Sequence, residues 1–189
     1  MPGCKRAAVP GQALYCVMVT LLGEEGPVRL RPAAEIDLPF ILATEEGGRR
    51  AGFLGGWPES EHRSALATVG TAYAVAEALP AWRSVGFVIL RGLTSPDRNI
   101  ELKRIALTET DKGYGRHVLR LIARLAFGTL GAHRLWLDVY EHNARARHVY
   151  TTQGFVVEGT LRECIRLPGR WASLVVMSIL EHEYHPPRP

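Results

Sequence analysis

Around residue 110 the hydrophobic period of this chain changes from that of strands to that of a helix, and this change constrains the fold most. Runs at 71–77, 85–90 and 100–107 are strand-like, and the loops between them (79–84 and 92–99) are rich in Pro, Gly, Ser and Asp. That reads as antiparallel hairpins. From Tyr114 the apolar residues Val118, Leu121, Ile122, Leu125 and Ala126 recur at helical spacing until Gly131 stops the run. Before this junction stand a strand at 28–31 and helices at 35–46 and 59–69, the first ended by Gly47 and Gly48. After it come a strand at 134–140, a short helix at 144–153 ended by Gly154, and strands at 155–159 and 174–180. No repeat or linker divides the chain. The order predicts one α/β domain over 28–182, with an N-terminal extension at 1–27 and a tail at 183–189.

Charge and cysteines narrow the partners. The chain has 189 residues and a net charge of +4, its 23 Lys and Arg scattered among 19 acids with no polybasic block. A basic excess without a stripe fits a polyanionic small cofactor better than nucleic acid. Cys4, Cys16 and Cys164 form an odd set with no CxxC and no zinc-ligand spacing, so no metal is expected and a reducing, cytoplasmic setting is. No apolar run has the ~18 residues of a membrane span. Lys5, Arg6 and the apolar stretch 13–22 loosely imitate a signal peptide, but Pro10, Gly11 and Gln12 interrupt it, and we read a dispensable extension there.

Two segments carry chemistry. In the first, the strand at 100–107 and the loop at 108–112 lead into a helix opening Gly113-Tyr114-Gly115-Arg116. Glycines here let backbone approach a ligand closely, and a helix start offers unpaired N–H groups to a pyrophosphate. GxG alone equally describes a tight strand-to-helix turn. A Walker A loop is absent, and Val118 breaks a dinucleotide fingerprint. The second segment runs from Leu135 through Asp138 and Asn143 to Ala146, Tyr150, Gly154 and Phe155. Asn143 is a good N-cap, and Tyr150 is as readily a core tyrosine as a functional one. The arginines at 116, 120 and 124 read as a solvated face, and His117 and His142 as surface residues.

Together the segments, IELKRIAL–TETDKGYGRHVL–HRLWLDV–EHNARARHVYTTQGF, resemble the GNAT N-acetyltransferase superfamily, most closely its ribosomal-protein N-terminal acetyltransferase branch. The resemblance implies a mixed, mostly antiparallel sheet of six to seven strands with about four helices, and acetyl-CoA as co-substrate. It implies backbone pairing of Ile105, Ala106 and Leu107 with the pantetheine arm, and main-chain N–H groups of Asp111, Lys112, Gly113, Tyr114, Gly115 and Arg116 on the pyrophosphate. It gives Asn143 a hydrogen bond to pantetheine, places Tyr150 beside the thioester sulfur as general acid, and makes Lys112, Arg145 and Arg147 candidates for the phosphates. Thr110 departs from the usual Gln or Arg of the loop.

Two carboxylates compete as base for the attacking amine. Glu101 resembles the strand glutamate of histone acetyltransferases, and Asp138 stands where ribosomal-protein enzymes carry a glutamate. Glu101 could equally pair with Lys103, and Asp138 could cap a loop. The amine acceptor, a small molecule or a peptide N-terminus, would be held by 47–69 and 162–171. The alternative is a module of this fold that binds acyl-CoA without turnover. A monomer or a homodimer fits either.

Overall fold

In a computed structural model, residues 23–186 form an eight-stranded mixed sheet of order β1-β2-β3-β4-β5-β6-β8-β7. Most of the expected extension, with Cys4 and Cys16, and residues 187–189 lie outside the described residues. The strands are β1 (Gly23–Glu25), β2 (Val28–Pro32), β3 (Thr71–Ala78), β4 (Arg83–Arg91), β5 (Asn99–Leu107), β6 (Arg134–Tyr140), β7 (Val156–Leu167) and β8 (Arg170–Leu180). Helices α1 (Leu38–Arg50) and α2 (Glu59–Ala67) come before β3, α3 (Tyr114–Ala123) lies between β5 and β6, and α4 (Ala144–Thr152) between β6 and β7. Neighbouring strands are antiparallel except β5 and β6, which α3 joins as a parallel crossover. Among the described residues no helix is long and apolar enough to cross a membrane.

The sheet separates two cores. On one face Val118, Leu119 and Ile122 of α3 and Tyr150 of α4 pack on Leu90, Ile100, Leu102, Leu135, Leu137 and Met177. On the other, Ile41 of α1 and Ala65 of α2 cover Tyr73, Phe87, Ile89 and Ala106. β5 contributes to both through a bulge. Leu90 pairs with Leu102 and Ile89 with Arg104, which leaves Lys103 without a partner on β4. Ile100 and Leu102 therefore face the α3 core, whereas Arg104 and Ala106 turn to the α1 side.

Several boundaries differ from the sequence reading. The sheet begins ahead of Val28 with β1, whose Glu25 pairs with Arg120 and Arg124, so part of the arginine stripe holds an edge strand rather than facing only water. α1 runs through Gly47 and Gly48 to Arg50, and across them Glu46 pairs forward with Arg49 at 2.6 Å and Arg50 at 2.7 Å. The helix after the glycine turn is α-helical only to Ala123 and continues as a π-turn, Arg124–Thr129. Residues 162–171, read from the sequence only as a segment that would hold the acceptor, mostly belong to the long β7–β8 hairpin. Tyr184, expected in a free tail, stacks on Phe127 with ring centroids 4.7 Å apart.

Candidate active site

The parallel pairing of β5 with β6 stops early. Asn99, Ile100 and Glu101 face Arg134, Leu135 and Trp136, and there the ladder ends. Yet β5 continues to Leu107 and β6 to Tyr140. Beyond Glu101 the two facing edges carry backbone N–H and C=O groups that no strand satisfies, a template for an extended amide-bearing ligand. Ile105, Ala106 and Leu107 lie on this unpaired stretch. Both strands then lead into helices, so the starts of α3 and α4 lie at the mouth of the gap.

At α3, Gly113 is the N-cap in the left-handed region (φ 72°), and no side chain caps the helix. The first-turn amides are thus left uncovered by protein side chains. A Cβ on Gly115 would meet only Leu107 Cδ1, at 3.5 Å. Tyr114 packs on the core, while Asp111, Lys112 and Arg116 are exposed. At α4, Asn143 Oδ1 accepts from Ala146 N at 3.1 Å, which leaves its amide N–H groups for other partners. Arg145 donates to Asp111 at 2.8 Å and to the Thr110 carbonyl, and Arg147 donates to the Glu141 carbonyl at 3.2 Å. Both arginines thus brace loops in this structure.

Tyr150 is 8% exposed, with its ring 5.7 Å from that of Phe155. Its hydroxyl makes no hydrogen bond among the described residues. Burial, and secondarily the charge of Asp138, push the phenol well above its ordinary range, so it holds its proton at neutral pH. The two candidate carboxylates share one cation. Lys103 Nζ lies 3.1 Å from Glu101 Oε1 and 3.9 Å from Asp138 Oδ2, and all three side chains are partly exposed.

Beside them lies a buried polar cluster that no local motif announces. Glu45 Oε2 accepts from Trp57 N at 2.7 Å and contacts His62 Nε2 at 3.2 Å, while His62 Nδ1 bonds the Tyr73 hydroxyl. Arg104 pairs with Glu45, donates to the Gly55 carbonyl at 2.7 Å and lies over the Trp57 ring at 4.5 Å. Burial lowers the Arg104 guanidinium to about 10, still charged at neutral pH. This cluster fixes the loop between α1 and α2. His142 also departs from a plain surface role: it bonds the Gly52 carbonyl at 2.9 Å and stacks on Phe53, tying that loop to the β6–α4 turn. His117 is packed under Gly26 and partly buried. Among the described residues no group of three or more His, Cys, Asp or Glu is placed to hold a metal ion.

Residues 28–156 match the acetyltransferase (GNAT) domain family, and the chain belongs to that family. It is 32% identical over 101 residues to the spermidine N(1)-acetyltransferase of Vibrio cholerae serotype O1, covering 53% of this chain and 58% of that protein. The Escherichia coli K12 spermidine N(1)-acetyltransferase is 30% identical over 100 residues, covering 52% and 54%. The chain thus spans little more than half the length of the curated relatives it matches. The crystal structure of the Vibrio cholerae spermidine N-acetyltransferase with CoA and spermine shares the fold, with a TM-score of 0.74 and 23% identity over 83% of this chain and 97% of that one. The same enzyme with manganese ions gives 0.71 and 24%, over 84% and 95%. The α/β GNAT fold is therefore as the motifs implied, with eight strands instead of six to seven.

Proposed function

We propose that this chain transfers the acetyl group of acetyl-CoA to the primary amine of a small molecule in a direct ternary complex. The observation that carries this reading is the early end of the β5–β6 ladder, which opens unpaired backbone between an uncapped helix start and a buried tyrosine. Pantetheine would pair with 105–107, the pyrophosphate would take the amides of 111–116, and the Asn143 amide would donate to the arm. Lys112, Arg116 and Arg147 would serve the outer phosphates. The amine nitrogen bonds to the thioester carbonyl carbon, its proton leaving to Glu101, to Asp138 or to water. The carbon–sulfur bond then breaks, and Tyr150 protonates the departing thiolate. The Tyr150 proton, kept by burial, suits that second step better than a base role.

A small acceptor is favoured over a peptide N-terminus on two grounds. The curated relatives are, by name, spermidine enzymes. The contact of His142 with the Gly52 carbonyl, which ties the α1–α2 loop to the β6–α4 turn, would also restrict an acceptor bound on that side. The resemblance to the ribosomal-protein branch rests on motifs alone, and a cytoplasmic setting rests on cysteine usage. The test is thiol release from acetyl-CoA across a panel of amines. Release that depends on an amine is the expected result; an acetyl-CoA-induced rise in melting temperature with no release under any amine would leave the non-catalytic binding module.

A further inference from the structure

The relatives act, by name, on a polycation, yet the charges beside this gap are balanced. Glu101 and Asp138 face Lys103, which lies within 3.9 Å of both. The third carboxylate on that side, Glu45, is taken by Arg104, His62 and the Trp57 amide. Arg91 adds a further cation, 4.6 Å from the Trp57 ring centroid. Lys103 and Arg104 thus pair with all three carboxylates, each of which has a partner inside the protein, while Arg91 lies over Trp57.

A polyamine must keep its non-reacting ammonium groups charged while one amine is neutral for attack. Each retained ammonium needs a free carboxylate or carbonyl, because stripping its water without compensation is costly. Lys103 already occupies the position between the two carboxylates, and the β5 bulge holds it there. Resting on the acetyltransferase reading above, we propose that Lys103 is a specificity-determining residue that excludes polycationic acceptors, and that the acceptor is a monoamine with an uncharged body. The aromatic surroundings agree with such a body. Trp57 lies under Arg104, and Tyr140 stands on β6 two residues beyond Asp138 with its ring 5.2 Å from His142.

The experiment compares spermidine with phenethylamine for wild type, Lys103→Met and Lys103→Arg, each shown to be folded by its melting temperature. Two readouts are taken: kcat/KM with acetyl-CoA, and calorimetric titration of spermidine into the CoA-loaded protein. Wild type should prefer phenethylamine. Removing one cation a few ångströms from the acceptor should raise the spermidine-to-phenethylamine ratio by about tenfold or more, and tighten spermidine binding likewise. Lys103→Arg should stay within about threefold of wild type, and the Lys103→Met gain should shrink in high salt. A wild type that prefers spermidine, or a Lys103→Met ratio and affinity that do not move, overturns the proposal. If no amine supports turnover in any variant, the transferase reading fails, and the titration alone still decides the role of Lys103.

Discussion

Arg145, in the first turn of α4, reaches across to the loop after β5, donating to Asp111 at 2.8 Å and to the Thr110 carbonyl. One side chain thereby links the two helix starts that flank the open β5–β6 gap. Both partners are largely exposed, so the pair itself is worth at most ~1 kcal/mol. Arg145→Ala should leave the melting temperature nearly unchanged and raise the acetyl-CoA KM about two- to fivefold, with kcat little altered. Steady-state kinetics with acetyl-CoA varied will check this; a large fall in kcat at constant KM would count against a bracing role.

Gly115→Val offers a sharper test of the cofactor cradle. The new side chain finds room against Leu107, so the protein should fold. It would stand where a phosphate must approach the first turn of α3. Acetyl-CoA at ~100 times its wild-type dissociation constant stabilises by about 2.7 kcal/mol, and that shift should vanish in the variant. ATP and NAD should give much smaller shifts with wild type.

Tyr150→Phe keeps the ring packed against Phe155 and removes only the hydroxyl, and with it the transferable proton. Turnover should fall by roughly 10²–10⁴ while the acetyl-CoA thermal shift persists. Unchanged turnover would return Tyr150 to the core.

Glu101→Gln and Asp138→Asn separate the candidate bases. The variant that removes the base should lose rate at neutral pH and recover part of it at high pH, where free amine is abundant. We expect that behaviour from Glu101→Gln, with one acceptor used throughout. The same profile in Asp138→Asn alone would reverse the assignment.

The buried His62 gives stability its own pH dependence. Burial holds its folded-state pKa below the ordinary value of ~6.5. Below that value the unfolded chain binds a proton that the folded chain refuses. The stabilisation attributable to this group is therefore complete above about pH 6.5 and is lost as pH falls through the folded pKa. Urea unfolding between pH 8 and 5 should show the decline. His62→Gln should flatten it, at a cost of about 1–3 kcal/mol from leaving Tyr73 and Glu45 short of a partner.

What the sequence makes readable here is what is local. The glycine turn, the Asn143 cap and the periodic strands and helices each depend on residues within a few positions of one another. β1 escapes notice because Gly23–Glu25 carries no apolar residue, and β7 is read only as far as Gly159 because nearly all its side chains are exposed and no alternation survives. The polar cluster draws Glu45 from α1, His62 from α2, Tyr73 from β3 and Arg104 from β5, a meeting set by the tertiary fold. The pairing of Lys103 with Glu101 is local and readable, but its approach to Asp138 depends on a bulge and on the strand beside it, and neither has a one-dimensional signature.

The unpaired residue at position 103 gives β5 two parities. Upstream, even-numbered residues serve the α3 core; downstream, odd-numbered ones do, as Ile105 and Leu107 show. Loss of the residue at 103 would let Leu102 and Arg104 pair in succession with Leu90 and Ile89, so a regular strand would keep Arg104 and Ala106 on the α1 side and Ile105 on the α3 side. The two cores therefore tolerate this residue rather than require it, and what its loss takes away is the cation beside Glu101 and Asp138. Across related chains, a one-residue gap here should occur without compensating changes in the two cores, and a relative that has it should lack the cation at the mouth of the gap.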